Sequence, residues 1–295
     1  MTDITPSDAL GPSHAVLPTE DRRSDTVWTE TTSFADRIPK PIAILLLGVI
    51  ILVVWHLAAT VGVVSTIILP TPLQTANELV VVGTNLLTGG YMLGALWITF
   101  LEVLLGFLLA TVIGVTLGVI VGETSFGERA VMPYLVALDT MPKIAFAPLF
   151  VAWLGFGIES KLALATFMAT FPIIVGTAAG IMSAERNAVM LFRTMGATRW
   201  QALTMMKIPT GLPHIFTGLK IASLAVMAGA ITAEFLGGGK GFGELIRVSA
   251  SQLDTARVFA FIIYLSLVGV LMYGTVRLGE RRLVFWQSSK SRSTE

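Results

Sequence analysis

The residues able to do chemistry are few and far apart. Glu102, Asp139, Lys143 and Glu234 stand within long apolar stretches. A charge there costs roughly 2.5–3.5 kcal/mol on insertion scales and so turns toward protein or water. Asp139 and Lys143 are four residues apart, in the order that lets a carboxylate and an ammonium meet on one helical face. Two readings of that pair stand open: the charges neutralise each other inside a bundle, or Lys143 helps line a path for an anionic solute. Pro142, beside Lys143, cannot donate a helix hydrogen bond. Broken helix at membrane depth is tolerated where it faces protein or a water-filled cavity. A path is therefore expected along this segment, with Glu102, Asp139, Pro142, Lys143 and Glu234 as its candidate residues.

No catalytic set accompanies these charges. His14, His56 and His214 lack the spacing of a metal pair, and cysteine is absent, which removes disulfides and cysteine metal sites. Gly237–Gly243 contains Lys240 without the spacing of a phosphate-binding Gly-x-x-x-x-Gly-Lys-Ser/Thr loop. It reads as a flexible turn on the outside. No catalytic residue, metal or cofactor is expected, and the chain is not expected to be an enzyme. A net charge of +1 offers no basic excess for nucleic acid.

The elements that must hold these residues follow from composition. Hydrophobic residues make up 54% of the chain and charged residues 13%, about half the charged share of a soluble domain. Lipid can solvate that much apolar surface where water cannot. The expected fold is an all-α polytopic membrane protein of about six transmembrane helices, each near the roughly 20 apolar residues a span needs. The spans fall at about Pro41–Val64, Tyr91–Val121, Arg129–Leu154, Lys161–Met182, His214–Leu236 and Val258–Leu278. Residues 1–40, polar and without a cleavable apolar stretch, read as a disordered cytoplasmic tail. Residues 41–283 form the transmembrane domain, with 91–283 as its core, and residues 284–295 form a second cytoplasmic tail. With the N-terminus inside, Arg22, Arg23, Arg37, Lys40, Arg129, Arg186, Arg193, Arg199, Lys207, Arg277, Arg281, Arg282, Lys290 and Arg292 all fall inside. Only Lys161, Lys240, Arg247 and Arg257 fall outside, so both termini are expected in the cytoplasm.

The stretch 183–213 carries its own signals. Ser183 is placed to cap a short helix to about Met195, and Gly196 to end it in the left-handed conformation. Thr198 and Gln201 have capping-box spacing for a second short helix, which Pro209 is expected to stop before Pro213 opens the next span. Val189, Phe192 and Met195 then share a face of the first helix, and Trp200, Leu203 and Met206 a face of the second. Such a knob could enter a groove on a partner. The alternative is an ordinary loop lying on the bilayer or on its own spans.

The segment from Phe192 to Ala222, FRTMGATRWQALTMMKIPTGLPHIFTGLKIA, resembles the cytoplasmic coupling loop of ABC importer permeases. That family's pattern is Glu-Ala-Ala, three residues, Gly, nine residues, then Ile-x-Leu-Pro. Gly196 takes the glycine position, and Met206, Ile208 and Pro209 the closing ones. Met190, Leu191 and Phe192 stand where Glu-Ala-Ala would, so the acidic residue is absent. PKIAFAPLFVAWLGFG (142–157), AEFLGGGKGFGELI (233–246), LPTPLQTANEL (69–79) and ERRLVFW (280–286) are similar to motifs of the nitrate, sulfonate and taurine branch, in the same order.

The resemblance implies a type I ABC importer permease in the bacterial inner membrane. Its partners would be a second permease copy, two ATP-binding subunits beneath, a periplasmic or lipid-anchored substrate-binding protein, and membrane lipid. It places Val189, Phe192, Arg193, Met195, Gly196, Ala197, Arg199, Trp200, Leu203 and Pro209 at the ATPase dock. The implied solute is a small organic or inorganic anion or a heteroaromatic vitamin precursor. An ion-gradient-driven secondary transporter is the rival reading, but no internal repeat supports it.

Overall fold

The computed structural model describes residues 39–61 and 65–286, all of whose regular elements are helical. The expected N-terminal tail up to residue 38, the tail beyond Trp286, His14 and the basic residues Arg22, Arg23, Arg37, Lys290 and Arg292 lie outside the described residues. The chain divides into two units, Met1–Ile51 and Leu52–Glu295. Of the first, the described part is the leading portion of α1 (Lys40–Thr60), with its apolar side chains exposed.

The second unit continues with α2 (Pro72–Leu87), α3 (Tyr91–Glu123), a π-turn (Gly127–Val131), α4 (Met132–Thr140) and a 3₁₀ turn (Lys143–Phe146). Then come α5 (Ala147–Leu154), α6 (Ile158–Met182), α7 (Arg186–Thr194), α8 (Arg199–Ala202) and a second π-turn (Leu203–Lys207). The last elements are α9 (Ile208–Gly237), α10 (Phe242–Ser251) and α11 (Thr255–Leu283). Five stretches are long and apolar enough to cross a membrane: Pro41–Thr60, Tyr91–Glu123, Ile158–Met182, Arg199–Gly237 and Thr255–Leu283. The expected third span is instead two helical pieces, Gly127–Thr140 and Lys143–Leu154, bent by 82°.

Three helices, α3, α6 and α9, make the centre of the core, to which α2, α10 and α11 add Val82, Phe242 and Phe261, and small residues decide how the three meet. In lipid, helices associate through close packing rather than through expulsion of water. Gly114, Gly118 and Gly122 of α3 sit against Ile173, Thr177 and Ile181 of α6, both sets at four-residue spacing. The pairs ascend together, so α3 and α6 run parallel. Along α9 the order reverses: Gly218 meets Gly176, and Gly211 meets Gly180. At that second crossing backbone lies on backbone. A Cβ added to Gly180 would stand 2.6 Å from Gly211 O, and one added to Gly211 2.5 Å from Gly180 O.

Shorter pieces brace this core. Thr71 Oγ1 accepts from Gln74 N–H at 3.2 Å while Gln74 Oε1 accepts from Thr71 N–H at 2.9 Å, a capping box that starts α2. α11 holds α2 through Arg257 Nε, 3.0 Å from Glu78 Oε2, and through Tyr264 O–H, which donates to Leu79 O at 3.0 Å. α11 holds α9 through Glu280, which pairs with Lys220 at 2.9 Å.

A side chain at Gly211 must therefore push α6 and α9 apart. Gly211→Val is expected to cost at least the ~1–3 kcal/mol of an overpacked core and to lower the melting temperature in detergent. Gly274→Ala, where a Cβ meets nothing within 4 Å, should leave it unchanged. Equal melting temperatures for the two variants would refute the crossing as described.

Candidate functional site

The knob between α6 and α9 is built from local hydrogen bonds. Ser183 closes α6 rather than opening α7: its N–H donates to Ala179 O at 2.9 Å and its Oγ–H to Gly180 O at 2.7 Å. The expected cap therefore belongs to the preceding helix. α7 ends as expected, with Gly196 at φ +79° and Ala197 N–H donating to Phe192 O at 3.0 Å. The Thr198–Gln201 capping box is present, at 3.2 and 2.8 Å. Pro209, expected to stop the second helix, stands within a continuous helical path from Arg199 to Gly237. The turn before it is π-wound, with Ile208 N–H reaching Leu203 O. That leaves room ahead of the proline ring and uses no bond that its missing N–H would break.

Only part of the knob's expected apolar face points outward. Trp200 is 70% exposed and Met195 75%, while Leu203 is 6% exposed and Met206 is buried. Leu203 is thus packed on its own bundle, contrary to its expected place in the docking face. Pro209, Val189, Phe192 and Ala197 are half-buried, whereas Arg193, Gly196 and Arg199 are exposed. The outward apolar set is Met190, Leu191, Met195, Trp200 and Met205.

A second cluster lies at the opposite end of the core. Glu102 on α3 is about 21 residues, and so about 30 Å, from the knob end of that helix, one hydrocarbon thickness away. Lys161 Nζ lies 3.2 Å from Glu102 Oε1 and donates to Lys240 O at 3.2 Å. Glu234 Oε1 accepts from Thr99 O–H at 2.6 Å, and its Oε2 from Gly243 N–H at 2.6 Å. Thr99 Oγ1 in turn accepts from Phe242 N–H at 2.9 Å. All four side chains are buried, so Glu102 and Glu234 reach no surface in this conformation. Lys161, expected on the outside at the start of its span, is the cation of the cluster. The glycine-rich loop is correspondingly fastened rather than free. Gly238 and Gly239 have φ of +63° and +95°, and a Cβ at Gly241 would overlap the Glu234 carboxylate.

The remaining expected residues sit at the broken span. After α4 ends, Pro142 takes an extended ψ of 82° and the chain turns into Lys143–Phe146. Lys143 Nζ donates to Asp139 O at 2.6 Å and to Asp139 Oδ1 at 2.7 Å. The expected pair thus forms, but across the break rather than along one helix. The ammonium occupies the carbonyl end of α4, where a cation is favoured. It also lies 5.4 Å from the centre of the Phe171 ring. Pro142 is exposed and Asp139 partly so. Among the described residues, no hydrogen bond or ion pair joins this group to the cluster around Glu102 and Glu234.

The Lys161 ammonium is paired with the buried Glu102 carboxylate. Removing a buried partner strands charge and costs about 3–5 kcal/mol, whereas replacing both members with apolar groups is often tolerated. Lys161→Met is expected to abolish a folded preparation or lower its melting temperature sharply. Lys161→Met combined with Glu102→Leu should recover much of the loss. A double variant no better than the single would overturn the pairing.

Residues 110–285, more than half of the chain, match the family described as binding-protein-dependent transport system inner membrane component. The chain is similar to the formylaminopyrimidine transport permease protein ThiX of Halalkalibacterium halodurans, 35% identical over 81% of this chain and 94% of that protein. It is similar to the riboflavin transport system permease protein RibX of Chloroflexus aurantiacus, 31% identical over 84% of this chain and 90% of that protein. The taurine transport system permease protein TauC of Escherichia coli is 27% identical over 80% of this chain and 86% of that protein. This chain therefore belongs to the family of inner-membrane components of binding-protein-dependent transport systems, as the multi-pass permease subunit of an ABC importer.

Proposed function

We propose that two copies of this chain form the membrane path of an importer and seat two ATP-binding subunits on their knobs. A substrate-binding protein would deliver the solute at the opposite face. The observation that carries this reading is the outward apolar set on the knob: Met190, Leu191, Met195, Trp200 and Met205 project from a polar, basic loop between two spans. An exposed tryptophan flanked by methionines suits insertion into a groove. The same reading puts the knob and both termini in the cytoplasm, in line with the lysine and arginine bias. ATP hydrolysis would belong to the partner.

For the solute, the relatives named for taurine, riboflavin and formylaminopyrimidine favour a small organic molecule. Lys143 supports this choice. Its charge is already matched by Asp139 at 2.7 Å, which suits a zwitterionic or polar heteroaromatic solute better than a bare inorganic anion. Asp139, Pro142 and Lys143 are the residues we assign to the path, and Glu102 and Glu234 to its frame.

Purification from the native membrane in mild detergent should recover an ATPase subunit with hydrolysis in the eluate. Trp200→Ala is expected to weaken that association by about thirtyfold, the scale of an interface hot spot, without unfolding the chain. Recovery of stable protein that moves solute on an ion gradient with no ATPase would overturn the reading. Lys143→Met should lower uptake about tenfold while leaving ATPase recovery intact; unchanged uptake would remove Lys143 from the path.

A further inference from the structure

The α7 side of the knob stands off the bundle, burying no residue fully, while Leu203 and Met206 on the other side are packed. A polar cavity of about 560 Å³ lies between α7 and the knob ends of α3 and α6, walled by Glu123, Glu128, Arg186, Arg193 and Lys207 among others. An arm standing over a gap of that size can flex at its base, and Gly196 at its tip adds no stiffness. One bond closes the base. Lys207 Nζ donates to Glu123 Oε2 at 2.6 Å, joining residues 84 apart in sequence. Lys207 ends the π-turn, and Glu123 ends α3. Among the described residues, no other ion pair or side-chain hydrogen bond joins the segment 186–207 to α3. Both side chains are largely shielded, at 16% and 28% exposure, where a charge-assisted hydrogen bond keeps more strength than at an open surface.

What α3 reaches at its other end gives the bond its meaning. The helix is unbroken from Tyr91 to Glu123. Near its start, Thr99 holds Phe242 N–H and Glu234, and Glu102 holds Lys161, which holds Lys240 O. A displacement of α3 is therefore felt by the glycine-rich loop about 30 Å away.

We propose that the Lys207–Glu123 ion pair is the strut that makes α3 follow the knob and α9 as one body, so that the Gly237–Gly243 loop, joined to α9 by the chain and pinned to α3 by side chains, is not held back by a stationary α3 when the knob is pushed. Lys207 and Glu123 are positioning residues in this scheme. It rests on the reading that the knob seats an ATP-hydrolysing partner.

The chain has no cysteine, so a single Lys240→Cys spin label reports the far loop cleanly in the purified permease–ATPase complex. The labelled wild type should change its spectrum when ATP is added. Lys207→Met and Glu123→Gln should keep ATP hydrolysis but lose the spectral change, or show it about tenfold less populated. Lys207→Arg should retain it, and the exchanged pair Glu123→Lys with Lys207→Glu should restore it. The strut is overturned if the wild-type loop does not respond. It is also overturned if the single variants respond normally, if hydrolysis and response fall together as in simple misfolding, or if the exchanged pair behaves no better than the singles. A wild-type complex that hydrolyses no ATP defeats the proposed function and the strut with it. A hydrolysing complex indifferent to Lys207 removes the strut alone.

Discussion

The contact on which everything else hangs is the backbone-to-backbone crossing of α6 and α9 at Gly180 and Gly211. Between lipid-facing helices, burial of apolar surface gives no advantage over lipid itself, so close approach has to supply the attraction. The crossing brings the two helices near enough for Gly176 and Gly218 to meet one to two turns along. α3 then lies in the groove with its own glycine stripe. The three-helix block sets the separation between its ends, and both charge-bearing sites are mounted there.

That placement follows from the cost of charge in hydrocarbon. Glu102, Lys161 and Glu234 gather at one end of the block and Glu123 and Lys207 at the other, with a run of apolar and small residues between them on α3. The cluster at the far end also solves a backbone problem. A loop rich in glycine leaves N–H groups with no helical partner, and buried ones must be satisfied. Thr99 and Glu234 accept from Phe242 and Gly243, so the buried carboxyl serves the main chain as well as the ion pair.

Much of this was legible in the sequence, because it rests on local rules. Long apolar runs placed four of the spans to within a few residues, and the Thr198–Gln201 box and Gly196 gave the knob its shape. The same box spacing at Thr71 and Gln74 went unread, although it starts α2. The cap and Pro72 at the first helical position favour a helix there. Lys161 was read at the outer start of its span, but its pairing was not, because its partner Glu102 is 59 positions away and is met only through packing. Leu203 fell on the wrong side because spacing names an apolar stripe but not which of its edges meets the chain's own bundle: Leu203 and Met206 turn inward while Trp200 faces out.

The prolines show where local rules stop. Pro142, Pro172, Pro209 and Pro213 are the same residue in similarly apolar surroundings, yet only the first accompanies a sharp break. Pro172 and Pro213 lie inside α6 and α9, where the glycine crossings press the two helices together and offset a missing hydrogen bond. Pro209 follows a turn already wound wide. Pro142 has neither aid: α4 buries none of its residues fully, so nothing holds the chain straight. The break then gains its own stabilisation, since it frees the Asp139 carbonyl for Lys143. A proline thus bends a span according to what its neighbours press against. That information lies in the partner helix rather than around the proline itself.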